Sequence, residues 1–191
     1  MKDWMTERGV LGSGSPRRKA LLEQLGLQFS IQKAGIDESI PPETNAQEAA
    51  EWLARQKSAA LQHQVRDGAW LITADTMVLS SGEMLNKPAD LQEARQMLMR
   101  LSGHSHQVNT GVCIYYQGRM LSFSVSTLVH FYPLTQFQIE RYLQRDEVLD
   151  KAGAYGIQDW IGLVGVKAIE GCFFNVMGLP TSRLVWEMNQ F

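Results

Sequence analysis

The sequence is poor in cysteine, carries little surplus charge and has no long apolar stretch. Its two cysteines, Cys113 and Cys172, stand alone in apolar segments, which indicates neither a disulfide framework nor a zinc site. A formal net charge of −2 argues against a protein that wraps a nucleic-acid backbone. No apolar run reaches about 18 residues, and residues 1–8 lack the apolar segment of a signal peptide. We therefore expect a cytoplasmic protein with neither a membrane nor a nucleic-acid partner.

Helix and strand signals alternate along the chain, which favours an α/β fold in a single domain spanning residues 1–191. Capping residues and periodic apolar positions predict helices over 17–25, 46–63, 90–101 and 135–144, with a last helix starting near 181. Extended patterns predict strands over 10–11, 27–31, 70–79, 106–116, 120–132, 161–169 and 172–177. A loop is expected at 35–42 and a hairpin turn at 80–83.

A basic segment, Ser13-Gly14-Ser15-Pro16-Arg17-Arg18, lies where the first predicted strand meets the first predicted helix. Unpaired N–H groups and the positive dipole end at a helix N-terminus suit phosphate, and arginines can clamp phosphate oxygens in pairs. The ordinary alternative is a capped helix followed by solvated basic residues. Local chemistry alone leaves these two interpretations equally weighted.

Asp75 stands at the polar centre of an otherwise apolar predicted strand, between Ala74 and Thr76. A carboxylate buried there without a partner would cost several kcal/mol, so it should be paired, bound to a metal or placed at the mouth of a cleft. Such a group suits a general base that activates water, or a metal ligand. A structural Asp that caps a loop remains the alternative.

Four further polar residues are weaker candidates when each is taken alone. Lys57 and Lys87 would ordinarily be solvated surface residues, as most lysines are, although Pro88 fixes an extended backbone around Lys87. Glu38, in a loop, could bind a divalent cation together with substrate phosphates, or could simply be solvated. Gln158 lies in a glycine-interrupted apolar run, and its amide could both donate to and accept from the edge of a base.

Taken in order, these segments resemble the Maf family over residues 10–190. The matching motifs are Ser13-Gly14-Ser15-Pro16-Arg17-Arg18, Ile36-Asp37-Glu38, Ala54-Arg55-Gln56-Lys57, Ala74-Asp75-Thr76, Lys87-Pro88, Leu101-Ser102-Gly103, Thr110-Gly111-Val112, Lys151 to Gln158, and Asn175 to Pro180. Each motif is weak by itself, but the ordered set is highly specific.

The resemblance implies a nucleoside triphosphate pyrophosphatase with a curved mixed β-sheet flanked by helices and two lobes around a deep cleft, similar to inosine triphosphatases. It also implies a divalent metal cation, Mg²⁺ or Mn²⁺, and a homodimer. Asp75 matches the catalytic proton acceptor and, with Glu38, the metal ligands. The positions that match the family's phosphate-binding residues are Ser13, Arg17, Arg18, Lys57 and Lys87. A non-catalytic nucleotide-binding regulator of cell division or septum formation is the alternative function.

Arg17, Thr76 and Gln158 match the subgroup that acts on dTTP and UTP rather than the one that acts on 7-methyl-GTP. Gln158 could pair with the N3–H and O4 edge of uracil or thymine, and modified pyrimidine nucleotides are further candidate substrates. The chain departs from the family pattern in three places. The apolar run before the basic segment is only Val10-Leu11, where the family usually has a longer one. Asn86 stands where the family commonly has glycine, and Asp159-Trp160 replace a glycine-containing turn after Gln158.

Overall fold

The amino-terminal segment alternates short strands and helices, as its pattern predicts. The computed structural model describes residues 3–41, 44–45 and 48–191. Helix α1 (Pro16–Gln24) begins at the predicted cap, where the side chain of Ser15 accepts from the backbone N–H of Arg18. It ends before Gly26, whose φ of 76° only glycine adopts without strain. Strands β1 (Gly9–Leu11) and β2 (Phe29–Ile31) lie on either side of α1 in the sequence and pair in parallel.

Helix α2 (Ala49–Leu61) is the long helix that the sequence predicts over 46–63. Residues 46 and 47 of that prediction lie outside the described residues, and a 3₁₀ turn over Gln62–Gln64 follows the helix. Helix α2 packs very closely on the strand that contains Gly111. A Cβ at Gly111 would lie only 2.1 Å from the backbone nitrogen of Glu51 in α2. Glycine is therefore required at that crossing.

Within the described residues, seven strands form one mixed sheet. The remaining strands are β3 (Leu71–Ser80), β4 (Glu83–Leu85), β5 (Ser105–Tyr116), β6 (Arg119–Phe131) and β7 (Val166–Glu170). The sheet order is β2-β1-β3-β5-β6-β7, with β4 paired to β3. Strand β1 is parallel to β2 and β3, whereas the pairs β3–β4 and β6–β7 are antiparallel. The predicted α/β fold with a mixed sheet is confirmed.

The remaining helices are α3 (Leu91–Leu101), α4 (Gln136–Arg145), α5 (Trp160–Gly165), α6 (Phe173–Val176) and α7 (Thr181–Met188). The predicted caps form at the first two of these. The Asp90 side chain accepts from the N–H of Glu93, and Thr135 and Gln138 make a complete capping box. Among the described residues, none of the helices has both the length and the hydropathy needed to span a bilayer.

The chain divides into two units. The first comprises the described residues up to Asp75, together with Thr110–Val125 and Gly178–Phe191. Its core includes Trp70, which is fully buried and donates from its indole Nε1 to the carbonyl of Trp4. The second comprises Thr76–Asn109 and Ser126–Met177, with an apolar core that contains Leu98, Tyr142 and Ile161. The deep cleft implied by the family resemblance stays a prediction.

Of two strand predictions near the carboxyl end, the first is wrong over residues 161–165 and the second is wrong. The run predicted as a strand over 161–169 begins as helix α5 and becomes strand β7 only at Val166, and the run over 172–177 contains the single-turn helix α6. In α5, Ile161 and Gly165 are buried four residues apart while Leu163 is 82% exposed, which is a helical pattern. Short apolar runs allow both periods, so tertiary packing decides between them.

Candidate active site

The first turn of α1 places Arg18 inside the first unit. Arg18 shares a buried face of the helix with Leu21 and Leu22, at i+3 and i+4. Its Nη1 donates to Ser13 Oγ at 2.9 Å and to the Ala74 carbonyl at 2.8 Å, and its Nε donates to the Gly178 carbonyl at 2.8 Å. Arg18 therefore ties together the loop after β1, the centre of β3 and the approach to α7.

Burial lowers the pKa of the Arg18 guanidinium from its usual value, and the charge of Asp75 opposes that shift. Arg17 is near enough to lower the same pKa, but it is half-buried rather than buried. The two adjacent arginines thus lie in different environments, although the sequence expectation gave both the same role of binding phosphate. That both arginines contact phosphate stays a prediction.

Asp75 and Lys57 form an ion pair within the first unit. The hydroxyl of Thr73 donates to the Ala54 carbonyl at 2.6 Å, which fixes β3 against α2. Lys57 is one helical turn beyond Ala54, and Asp75 is two residues beyond Thr73, so their side chains meet. The Lys57 Nζ lies 2.6 Å from Asp75 Oδ1, and the side chains are 11% and 17% exposed.

Glu38 contacts the same ammonium from the loop after β2. Its Oε1 lies 2.7 Å from Lys57 Nζ, and its side chain is 54% exposed. Lys57 therefore joins Glu38, in the predicted loop, to Asp75, in the predicted strand. The structure brings Glu38, Lys57 and Asp75 together, with Arg18 and Ser13 beside them.

Lys33 is a cation near this group that the sequence patterns do not single out. A Cβ on Gly14 would lie 2.6 Å from the Lys33 Cε, so the lysine side chain packs over the loop of the basic segment. Lys33 is exposed and belongs to no motif, so only the folded chain shows that it adds positive charge next to Gly14.

The other predicted substrate-binding residues belong to the second unit. Thr76 is half-buried on β3, and Lys87 is exposed in the loop between β4 and α3. That loop is held by a hydrogen bond from the Gly153 N–H to the Asn86 carbonyl at 3.2 Å. Gln158 is exposed, and its Nε2 donates to Asp159 Oδ1 at 2.8 Å.

The carboxylate of Asp159 is the centre of a polar network that the sequence patterns do not reveal. The Tyr142 hydroxyl donates to Asp159 Oδ2 at 2.9 Å and accepts from the Gly156 N–H at 3.0 Å. Lys151 Nζ lies 3.7 Å from Asp159 Oδ2 and 2.9 Å from Asp150 Oδ1. Trp160 packs against the core of the second unit, with the guanidinium of Arg141 over its ring at 5.5 Å.

In the part of the chain that the structure describes, no cluster of three or more His, Cys, Asp or Glu side chains could hold a metal ion. His106 is buried against Tyr155, with its Nε2 2.7 Å from the hydroxyl oxygen, and burial lowers the pKa of His106 to about 4. Two carboxylates, Glu38 and Asp75, remain as oxygen donors on either side of Lys57. Such a pair fits Mg²⁺, which binds through one or two carboxylates and takes other ligands from substrate phosphates and water.

Comparison with known proteins agrees with the motif order. Residues 8–191 match the family model described as Maf-like protein. A dTTP/UTP pyrophosphatase from Halalkalibacterium halodurans is 48% identical over 176 residues, 92% of each chain. Another, from Phocaeicola vulgatus, is 44% identical over 182 residues, 95% of this chain and 94% of its own. Among solved structures, a HAM1 protein from Coxiella burnetii aligns at 14% identity with a TM-score of 0.49, over 96% of this chain and 99% of its own. The chain belongs to the Maf-like protein family.

Proposed function

We propose that this protein is a nucleoside triphosphate pyrophosphatase that hydrolyses dTTP and UTP to the monophosphate and pyrophosphate. The observation that carries the proposal is the contact of one buried lysine, Lys57, with both Asp75 and Glu38, beside the basic segment of α1. Relatives 44% and 48% identical, which match more than nine-tenths of the chain, are named for this activity. The proposed domain is the whole chain, residues 1–191.

In the proposed reaction, Asp75 accepts a proton from a water molecule that attacks in line at the α–β linkage of the triphosphate. A bond forms between the water oxygen and the α-phosphorus. The bond from the α-phosphorus to the α–β bridging oxygen breaks, and that oxygen leaves with the pyrophosphate. Ser13, Arg17, Lys57 and Lys87 position the phosphates and neutralise their charge, with Arg18 in the same predicted set. Positioning and charge neutralisation supply most of the rate in reactions of this class.

We propose Mg²⁺ or Mn²⁺ as the cofactor, with Glu38 and Asp75 as its protein ligands. When bound, the cation would neutralise charge that develops on the phosphate oxygens. A cation held there would share the carboxylate oxygens that the Lys57 ammonium contacts. Lys57 itself would bind the triphosphate, since an ammonium on a flexible stem binds phosphate readily.

Base selection is proposed to lie with Gln158 and Thr76, the subgroup positions of the second unit. The exposed amide of Gln158 can accept from N3–H and donate to O4 of uracil or thymine. A site that hydrogen-bonds a base strongly rejects one that presents the wrong pattern. The cytoplasmic location, the homodimer and the lack of a nucleic-acid partner stay predictions.

A nucleotide panel tests the proposal. Purified protein is incubated with Mg²⁺ or Mn²⁺ and dTTP, UTP, CTP, GTP or 7-methyl-GTP, and both products are measured. We expect pyrophosphate and monophosphate in equal amounts, with dTTP and UTP as the best substrates. Release of inorganic phosphate alone, or no release from any nucleotide, contradicts the proposal. The last result would favour a non-catalytic regulator of cell division, which the enzyme names of the relatives do not favour.

A further inference from the structure

Asp159 lies directly after Gln158 in the sequence and contacts its amide. The Gln158 Nε2 donates to Asp159 Oδ1 at 2.8 Å. Gln158 is exposed, whereas the Asp159 side chain is only 15% exposed. The exposed amide is therefore attached to a carboxylate that is itself held inside the second unit.

A carboxylate accepts hydrogen bonds and cannot donate them. If the Gln158 amide turned over, its Oε1 would face Asp159 Oδ1, and two acceptors would stand in contact. The bond from Nε2 would also be lost, and bonds to charged acceptors are stronger than those between neutral groups. Asp159 thus determines which end of the amide carries nitrogen and which carries oxygen.

Asp159 cannot easily turn away from Gln158. The Tyr142 hydroxyl donates to Asp159 Oδ2, and the same hydroxyl is fixed by the N–H of Gly156. Lys151 Nζ lies 3.7 Å from that oxygen, with its side chain 9% exposed. A Cβ on Gly156 would lie 2.4 Å from Asp159 Oδ2 and 2.5 Å from Gln158 Nε2, so only glycine lets the backbone come this close to the pair.

The orientation of an amide matters for telling pyrimidines apart. Uracil and thymine present a donor at N3 and an acceptor at O4, whereas cytosine presents an acceptor at N3 and a donor at its exocyclic amine. A glutamine that turns over freely satisfies either pattern, because its two ends exchange places. A glutamine fixed in one orientation satisfies only one of them.

We propose that Asp159 is a specificity-determining residue, which fixes the amide of Gln158 and so restricts the base to uracil or thymine over cytosine. This inference rests on the proposed function, because it assigns Gln158 to the base. Asp159 is a positioning residue that acts through Gln158 and does not itself touch the nucleotide.

The test compares kcat/KM for UTP and CTP in the wild type and in Asp159→Asn. Because the Tyr142 hydroxyl donates to the oxygen at the Oδ2 position, an asparagine would present its N–H to Gln158, and the amide can turn over to accept from it. We expect the preference for UTP over CTP to fall by about tenfold, which corresponds to one charge-assisted hydrogen bond at a partly exposed site. Most of the change should be a gain in CTP turnover rather than a loss of UTP turnover.

Asp150→Asn is the matched control. Asp150 also pairs with Lys151 Nζ, at 2.9 Å, so its substitution removes a carboxylate from the same lysine and leaves the Gln158–Asp159 contact in place. We expect the wild-type preference in this variant. If Asp150→Asn lowers the preference as much as Asp159→Asn does, the effect comes from Lys151 and the inference is wrong.

Tyr142→Phe provides a second variant in case Asp159→Asn does not fold. It removes the donor that holds Asp159 Oδ2, and a smaller fall in the UTP preference is expected. An unchanged ratio in the folded variants overturns the inference while leaving the proposed function intact. So does a wild type that cleaves UTP and CTP equally well. A wild type that releases no pyrophosphate from UTP refutes the proposed function, and the inference with it.

Discussion

Replacement of Arg18 by lysine tests whether this arginine organises the first unit. Its guanidinium donates to Ser13 Oγ and to the carbonyls of Ala74 and Gly178, all at 2.8–2.9 Å. The residue is 8% exposed, so water cannot readily replace the lost donors. A lysine carries a single nitrogen, which cannot reach acceptors that lie around two separate nitrogens of the guanidinium.

The expected cost follows from those contacts. If the lysine keeps one bond and loses the other two, each from a charged donor and worth about 1.5 kcal/mol, the free energy of unfolding falls by about 3 kcal/mol. With a urea dependence of about 2 kcal/mol per molar, the unfolding midpoint should fall by roughly 1.5 M. Far-ultraviolet circular dichroism in a urea series measures that midpoint.

Arg17→Lys is the matched control, because Arg17 is the adjacent residue and is only half-buried. Its midpoint should change by less than about 0.5 M urea, as expected for a substitution away from the core. Activity should fall in both variants, so stability is what separates the two arginines. An Arg18→Lys protein with the wild-type midpoint would refute the reasoning.

Two further predictions concern stability. His106, whose pKa burial lowers to about 4, stays neutral in the folded protein while an unfolded histidine takes up a proton near pH 6.5. The free energy of unfolding should therefore fall by about 2 kcal/mol from pH 7.5 to pH 5 because of this group. Urea unfolding at several pH values measures the dependence. His106→Gln should remove this part of it, whereas His104→Gln, at an exposed position, should not. Gly111→Ala should lower stability by about 2–3 kcal/mol, since the new Cβ would meet the backbone nitrogen of Glu51 at 2.1 Å. Equal melting temperatures for Gly111→Ala and wild type would contradict the close packing of α2 on β5.

Local signals in the sequence predict most of the elements. Ser15, Asp90 and Thr135 cap α1, α3 and α4 as their side chains suggest, because a cap depends on residues within one turn. The hairpin between β3 and β4 follows in the same way from Ser81 and Gly82, both with positive φ. The first part of the segment over 161–169 is predicted wrongly, because the burial of Ile161 and Gly165 depends on packing that no short window of sequence contains.

The candidate site is predictable only in part. Lys57 has the residue type of a surface lysine, and only the family resemblance singles it out. Its burial and its contact with Asp75 depend on how Thr73 fixes β3 against α2. The difference in burial between Arg17 and Arg18 could be predicted from the sequence, since Arg18 shares the helical face of Leu21 and Leu22. No sequence pattern indicates the hydrogen-bond network of Asp159, because it joins residues from three separate segments.

Pyrophosphate release by Asp75→Asn tests the central claim most directly. The substitution keeps the size of the side chain and removes the proton acceptor, and Asp67→Asn, at an exposed position ahead of β3, serves as the control. With UTP and Mg²⁺ we expect Asp75→Asn to lose at least about 100-fold in kcat, while UTP still raises its melting temperature. The control should keep wild-type turnover. An Asp75→Asn protein that releases pyrophosphate at the wild-type rate would contradict the account.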